Sequence, residues 1–349
     1  MRSLLFLLCA ALCFTSCSKG SGGPAPTPRP QDSTVTPADS FAKGADVSWI
    51  TEMEAAGRRF YNAAGTQVEG MALLKSLGMN TIRLRVWVNP AGGWNGKDDV
   101  LAKALRAQAL GMRLLLDFHY SDSWADPGQQ TKPAAWAGLD LQGLKAALAA
   151  HTVDVLSALK AAGVSPEWVQ VGNETGDGML WPTGKASAGA AGMAAYARLV
   201  DTGYVAVKSV FPAAKVIVHL HNGWDNALYR WNLDGLRANG ARWDVTGLSL
   251  YPAPDNYALL NQNTLNNMSD IVSRYGTEVM VVEVGMSWDR PAESAAFLTD
   301  LIRKTRSVAG GKGLGVLYWE PQAYGGWNGY PLGAFDNSGK PTSALSAFQ

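Results

Sequence analysis

Trp168-Val169-Gln170-Val171-Gly172-Asn173-Glu174 and Val279-Met280-Val281-Val282-Glu283-Val284-Gly285 are the two stretches on which the fold of this chain turns. Each is a short apolar, β-branched run of the kind that forms a buried parallel strand, and each carries a glutamate at its carboxyl end. In a (β/α)₈ barrel, chemistry is done at that end of the strands. Two carboxylates brought together there suit the cleavage of a bond between sugars: one protonates the leaving oxygen while the other attacks or activates water.

Outward from these two stretches the same alternation continues. Strands are expected at Gly44 to Ser48, Thr81 to Val88, Arg113 to His119, Trp168 to Val171, Val216 to Leu220, Val245 to Tyr251, Val279 to Val284 and Gly315 to Trp319. Between them, helical character runs over Val68 to Leu77, Lys97 to Leu110, Leu141 to Ala161, Ala190 to Val210, Ala227 to Ala238, Leu259 to Tyr275 and Ala292 to Val308, with a short last helix near Ser343 to Phe348. Repeated strand–helix alternation implies a parallel sheet, and eight repeats in this length favour a closed TIM barrel over an open doubly wound sheet.

Side-chain alternation assigns the inner faces. In Thr81-Ile82-Arg83-Leu84-Arg85-Val86-Trp87 the aliphatic residues share one face, which must pack on helices, so Arg83, Arg85 and Trp87 point into the barrel. A buried guanidinium without a partner is too costly to persist, so acidic groups must lie close by. Asp117, which shares a face with His119, is the expected structural partner of an inward arginine. Arg85, nearer the top, is expected closest to the glutamates.

The ends of the chain are read differently. Arg2, the apolar stretch Ser3 to Phe14 and the small residues Thr15 and Ser16 form a signal peptide over residues 1–17, too short to span a bilayer. Cys17 directly after it resembles the lipobox of bacterial lipoproteins, although Phe14 departs from the usual aliphatic residue. Lipidation at Cys17 and anchoring of an exported protein to the outer membrane are therefore expected. Residues 18–40, rich in Gly, Pro, Ser and Thr, read as a flexible linker, and residues 41–349 as one catalytic domain. All three cysteines lie in the leader, so the domain has neither disulfide nor thiol site.

A formal net charge of +1 gives no basis for nucleic-acid binding, and no further apolar run is long enough to span a membrane. His119, His219 and His221 lack a His-Glu-x-x-His or Cys/His partner set, so they are expected to hydrogen-bond in a polar cleft rather than bind metal. Gly310-Gly311-Lys312-Gly313 precedes a strand and fits no phosphate-binding pattern, and there is no Gly-x-Ser-x-Gly elbow. Thirteen tryptophans is a high count. Several follow strand-like runs, where flat aromatic faces suit the apolar faces of sugar rings.

Several longer strings resemble one family. Arg83-Leu84-Arg85-Val86-Trp87-Val88-Asn89-Pro90, Asp117-Phe118-His119-Tyr120-Ser121-Asp122-Ser123-Trp124-Ala125-Asp126-Pro127, Gly172-Asn173-Glu174 and Trp181-Pro182 are similar to glycoside hydrolase family 53, the endo-β-1,4-galactanases. His219-Leu220-His221-Asn222-Gly223-Trp224-Asp225, Ser249-Leu250-Tyr251-Pro252, Glu283-Val284-Gly285 and Tyr318-Trp319-Glu320-Pro321 continue the match in order, so that it covers Phe41 to Gln349. The resemblance implies a retaining double displacement with Glu283 as nucleophile and Glu174 as acid/base. It also implies that Asn173 meets the sugar 2-OH, that Arg85 and Tyr251 keep Glu283 ionised, and that His119 and Trp319 hold and floor the sugar.

Trp87 and Trp124 are expected to extend the aromatic wall, and Asp122, His219 and Asn222 to meet the axial hydroxyl of galactose. No cofactor is expected. Some bacterial relatives bind a structural calcium, but no carboxylate-rich loop has clear calcium spacing and no metal ligand is assigned. The expected partner is a β-1,4-galactan, cleaved by a monomer whose only membrane contact is its lipid. Two alternatives stand beside this: another endo-glycanase of the same clan, such as a mannanase or cellulase, and a catalytically silent glycan-binding lipoprotein.

Overall fold

The computed structural model describes residues 40–349. Cys17, the signal peptide and nearly all of the linker lie outside the described residues. Eight strands, β1 (Ala42–Asp46), β2 (Thr81–Val86), β3 (Arg113–Phe118), β4 (Trp168–Val171), β5 (Lys215–Leu220), β6 (Val245–Leu250), β7 (Glu278–Val284) and β8 (Gly313–Trp319), pair in parallel, and β1 joins both β2 and β8 to close a barrel. The expected TIM barrel is present, with strand ends moved by one to two residues.

Eight α-helices accompany the strands: α1 (Ile50–Ala55), α2 (Gly70–Ser76), α3 (Lys97–Ala109), α4 (Leu141–Ala161), α5 (Ala190–Val210), α6 (Asn226–Ala238), α7 (Tyr257–Tyr275) and α8 (Pro291–Arg306). Their starts follow from local chemistry. Glu69, Asp140 and Asp225 each accept a hydrogen bond from a first-turn N–H of α2, α4 and α6, and Pro291 opens α8. Val68, expected to begin α2, instead pairs with Phe60 in a small hairpin, which leaves Glu69 free to cap. Helix α1 was not expected. It lies beyond the run in which β1 is written, and it is too short to show a helical period. The last helix, Ser343–Phe348, is a 3₁₀ turn.

Alternation sorts the strand residues as expected. Ile82, Leu84, Val86, Leu114, Leu116 and Phe118 pack outward into the helix-side core, while Leu115, Trp168, Ile217, Met280 and Leu317 form a separate buried cluster built from strand residues alone. Strand β7 breaks the rule at one place. Val281 pairs with Leu248 of β6, but the next pair is Glu283 with Ser249, so β7 carries one extra residue. Val281 and Val284 face the helices and Val282 faces the interior. Strict alternation would send Glu283 outward with Val281; the bulge returns it to the inside, at the carboxyl end of the barrel.

Candidate active site

The floor of the site is a buried polar layer centred on Arg83, which is 0 % exposed. Its Nε donates to Gln170 (2.8 Å), Nη1 to Asp46 (2.7 Å), and Nη2 to Asp117 (2.9 Å) and Asn173 (3.1 Å). The same Nη2 lies 2.9 Å from Glu283 Oε1. Burial opposes its charge, but Asp117, Glu283 and Asp46 outweigh that and hold Arg83 cationic. This is a correction: Arg83, and not Arg85, is the arginine on Glu283. The expected Asp117 partnership is present, and Asp117 also accepts from His119 Nε2 at 2.9 Å.

Glu283 is 5 % exposed, and Tyr251 donates to its Oε2 at 2.8 Å. Glu174 follows β4, with φ of 46°. That left-handed backbone is unusual for a side chain of this size and persists only where the surroundings enforce it. Here Thr175 N donates to His219 O (2.8 Å), and Asn232 Nδ2 donates to the carbonyls of Thr175 and Gly176 (3.0 Å each). The clamp aims Glu174 at its partner: carboxylate oxygens of Glu174 and Glu283 lie within 4.8 Å of one another.

Burial raises both carboxyls, to different degrees. Glu174 is pushed up to about 8 by desolvation and then by the charge of Glu283. Glu283 is raised as well, but Arg83 and the Tyr251 hydroxyl favour its anion against desolvation. The shared proton therefore belongs more to Glu174 than to Glu283.

His119, Trp124, Asn173, Tyr251 and Trp319 line a cavity of about 210 Å³ together with the two glutamates. His119 presents its ring there with both nitrogens used, since Nδ1 accepts from Ala125 N–H (3.1 Å) and Trp87 Nε1–H (3.3 Å). Asn173 donates once, to Ala125 O at 2.8 Å, which leaves its second amide hydrogen for the pocket. Trp87 faces an adjoining cavity, which shares Trp124 with the first.

Asp122 and His219 line neither of these two cavities and are engaged by the protein itself. The carboxylate of Asp122 accepts from Asn89 N (3.0 Å) and Ala134 N (2.8 Å) and so ties two loops together. His219 is fully buried beneath Glu174: its Nδ1 meets Gln170 Nε2 (3.0 Å) and Glu174 N (3.3 Å), and Nε2 meets Ser249 Oγ (2.8 Å). Burial depresses its pKa, which keeps the ring neutral. Glu174, His219 and Glu283 are also close enough to surround a cation, but the engagement of both ring nitrogens does not suit His219 as a ligand. Asn222 lies exposed after β5 with φ of 50°.

Arg85 is buried as completely as Arg83, in different company. Its Nη1 lies 2.5 Å from Glu320, and its guanidinium sits 4.5 Å from the ring of Trp124, 5.0 Å from Trp49, 5.4 Å from Trp87 and 6.0 Å from Trp319. Sequence reasoning assigned no role to Glu320 or Trp49. Glu320 stands in the quoted Tyr318-Trp319-Glu320-Pro321 string directly after β8, and that strand-end position is the available signal. Desolvation raises Glu320 to about 8 against the pull of Arg85.

Residues 42–348 match the model of glycosyl hydrolase family 53. The arabinogalactan endo-β-1,4-galactanase of Thermothelomyces thermophilus is 34% identical over 339 residues, covering 88% of this chain and 98% of the relative. A solved fungal β-1,4-galactanase superposes with a TM-score of 0.80 at 32% identity, covering 88% of this chain and 98% of that one. The family 53 catalytic domain of Ignisphaera aggregans gives a TM-score of 0.79 at 29% identity, covering 89% and 96%.

Proposed function

The chain belongs to glycosyl hydrolase family 53, and from that premise we propose that it is an endo-acting, retaining β-1,4-galactanase of the galactan side chains of pectin. The observation that carries the retaining mechanism is that a carboxylate oxygen of Glu174 lies within 4.8 Å of one of Glu283, too close for the sugar and an attacking water both to be held between them. Retaining enzymes hold their carboxyl groups about 5–5.5 Å apart, whereas inverting enzymes leave room for a water between them.

Glu283, the more readily ionised of the two, attacks the anomeric carbon. Glu174, which keeps its proton to higher pH, gives it to the departing glycosidic oxygen. Once the leaving sugar has gone, Glu174 takes a proton from the water that releases the product from Glu283. Tyr251 and Arg83 fix the two oxygens of the nucleophile, and the free amide hydrogen of Asn173 is available to the sugar 2-OH. Trp319 floors the sugar at the cleavage subsite. No residue is assigned to a cofactor or to calcium.

Incubation with β-1,4-galactan, galactomannan and carboxymethylcellulose tests the reading. Oligosaccharide release from galactan alone is expected; release from either of the others in its place would move the chain to a different specificity within the clan, and release from none would make it a binding protein. We further propose that a monomeric enzyme is exported and lipid-anchored through Cys17 to the bacterial outer membrane. Cys17→Ser should move it from the membrane fraction to the soluble fraction with activity unchanged, and a wild-type protein found wholly soluble would overturn the anchor.

A further inference from the structure

The cavity that Trp87 faces is larger than the catalytic one, about 410 Å³ against about 210 Å³. The two share Trp124, and their aromatic walls are continuous: Trp319 of the catalytic cavity lies 5.1 Å from Trp49 and 4.7 Å from Tyr330, both of which line the larger one. By the volume of the smaller pocket, the larger holds about two sugar rings. Its lining is dominated by indole rings, which bind a sugar face without distinguishing one hydroxyl pattern from another.

One charged group interrupts that lining. Glu52, in the first turn of α1, lines the cavity and is half-buried. Among the described residues its carboxylate forms no hydrogen bond and no ion pair. Desolvation raises its pKa, opposed by Arg85 and Lys103. A partly desolvated carboxylate without a partner, set among aromatic platforms, is suited to accept hydrogen bonds from the hydroxyls of a ligand.

Resting on the galactanase reading above, we infer that Glu52 is a specificity-determining residue of a distal subsite, where its two oxygens accept hydroxyls of a galactosyl unit stacked in the cavity of Trp49, Trp87 and Trp94. The subsite is filled only by chains long enough to pass Trp124. Glu52 therefore acts on chain length and on register of cleavage, and not on bond breaking itself. Because the carboxylate supports nothing else in the fold, its removal leaves stability intact.

The test is a length series of β-1,4-galacto-oligosaccharides followed by the polymer, with wild type, Glu52→Ala and Glu52→Gln. Wild-type kcat/KM should climb once the chain reaches the cavity. Glu52→Ala should lose that climb, with a deficit that grows with length to about tenfold or more on the polymer, and with a shifted product pattern. Glu52→Gln, which keeps one acceptor, should fall between, and melting temperatures should match wild type. An equal deficit at every length, or none at any, would overturn the subsite. Should wild type leave galactan uncut, the galactanase reading fails by itself, and the same series on the β-1,4-glycan that is cut decides Glu52 separately.

Discussion

Arg83 and Arg85 stand two residues apart on one face of β2, both fully buried, and they are held in opposite ways. Every nitrogen of Arg83 has an oxygen partner, from Asp46, Asp117, Gln170, Asn173 and Glu283. Arg85 has Glu320 on Nη1, with Asp46 at 3.9 Å, while its Nε and Nη2 have no hydrogen-bond partner among the described residues and lie among four indole rings. Hydrogen bonds fix direction, so the lower region sets where charge sits on the nucleophile. Aromatic faces bind a cation broadly, so the upper region holds a shape. On the proposed reading, chemistry is built on the first and sugar recognition on the second.

The largest expected effect lies in the lower region. Glu283→Gln should reduce turnover on galactan by about 10⁴-fold or more while leaving the melting temperature and substrate binding nearly unchanged. Glu174→Gln should be comparably inactive on galactan. With an aryl glycoside whose leaving group needs no proton, its first step should survive and azide should rescue the second. The rate needs Glu283 ionised and Glu174 protonated, so its acid limb belongs mainly to Glu283, whose anion Arg83 favours, and its alkaline limb to Glu174, with both limbs above the ordinary carboxyl range. Glu174→Gln should lose the alkaline limb in the aryl assay. Indistinguishable behaviour of the two variants would undo the assignment of roles.

Stability should separate the two arginines next. Arg83→Met leaves three carboxylates facing one another in the interior and should cost about 3–5 kcal/mol in denaturant unfolding. Arg85→Met should cost less, about 1–3 kcal/mol, because it strands one close carboxylate, Glu320, rather than three, and the methionine still packs on indole rings. The sign of the pH dependence follows from Glu320. Its folded pKa of about 8 lies above the ordinary 4.5, so the native state binds the proton more tightly. That contribution is complete below about 4.5 and is lost as pH rises towards about 8. Glu174 and Glu283 act in the same direction. Glu320→Gln should flatten part of the decline in melting temperature over this window; an unchanged slope would mean that Glu320 stays ionised in the fold.

This contrast was only half legible in the sequence. The barrel could be read because Val, Ile and Leu alternate with inward Arg83, Arg85, Asp117 and His119, and alternation is a local property. Which arginine reaches Glu283 depends on how far up each strand its neighbour stands, a register that no single strand encodes. The bulge at Val282 and Glu283 was hidden for the same reason: Val-Val-Glu-Val looks alike with and without it, and only pairing with Leu248 and Ser249 reveals the extra residue. Asp122 and His219 read as sugar ligands because they are polar and near the strand ends. Their partners, Ala134 N for one and Ser249 for the other, lie 12 and 30 residues away. Arg85 shows the converse, since its cage draws a tryptophan from each of four separate strand ends.

The upper region is tested by its rings. Trp319 lines the catalytic cavity and touches Trp49, Trp124 and Tyr330 at centroid distances of 4.7–5.9 Å. Trp319→Ala should lower kcat/KM on galactan by about 10²-fold through lost positioning, without unfolding the barrel. Trp124, shared by both cavities, should show the weaker effect on rate and the stronger one on product pattern. Full activity of Trp319→Ala with unaltered products would place the sugar platform elsewhere.

The smallest effect distinguishes two accounts of one residue. As a sugar ligand, Asp122 would read the axial hydroxyl of galactose, and its loss would reduce the preference for galactan over glycans with an equatorial hydroxyl there. As the structure has it, both carboxylate oxygens already accept backbone N–H groups, from Asn89 in the loop after β2 and Ala134 in the loop after β3. Those loops carry Trp87 and Trp124, so Asp122 acts on the aromatic wall through its supports. Asp122→Ala should therefore cost about 1 kcal/mol of stability, since the freed N–H groups lie near solvent and can find water. It should lower kcat/KM modestly and by the same factor on every glycan that the enzyme cuts, and Asp122→Asn, which keeps one acceptor, should recover part of both. A fall confined to galactan, with melting temperature unchanged, would return Asp122 to the sugar and detach it from the wall.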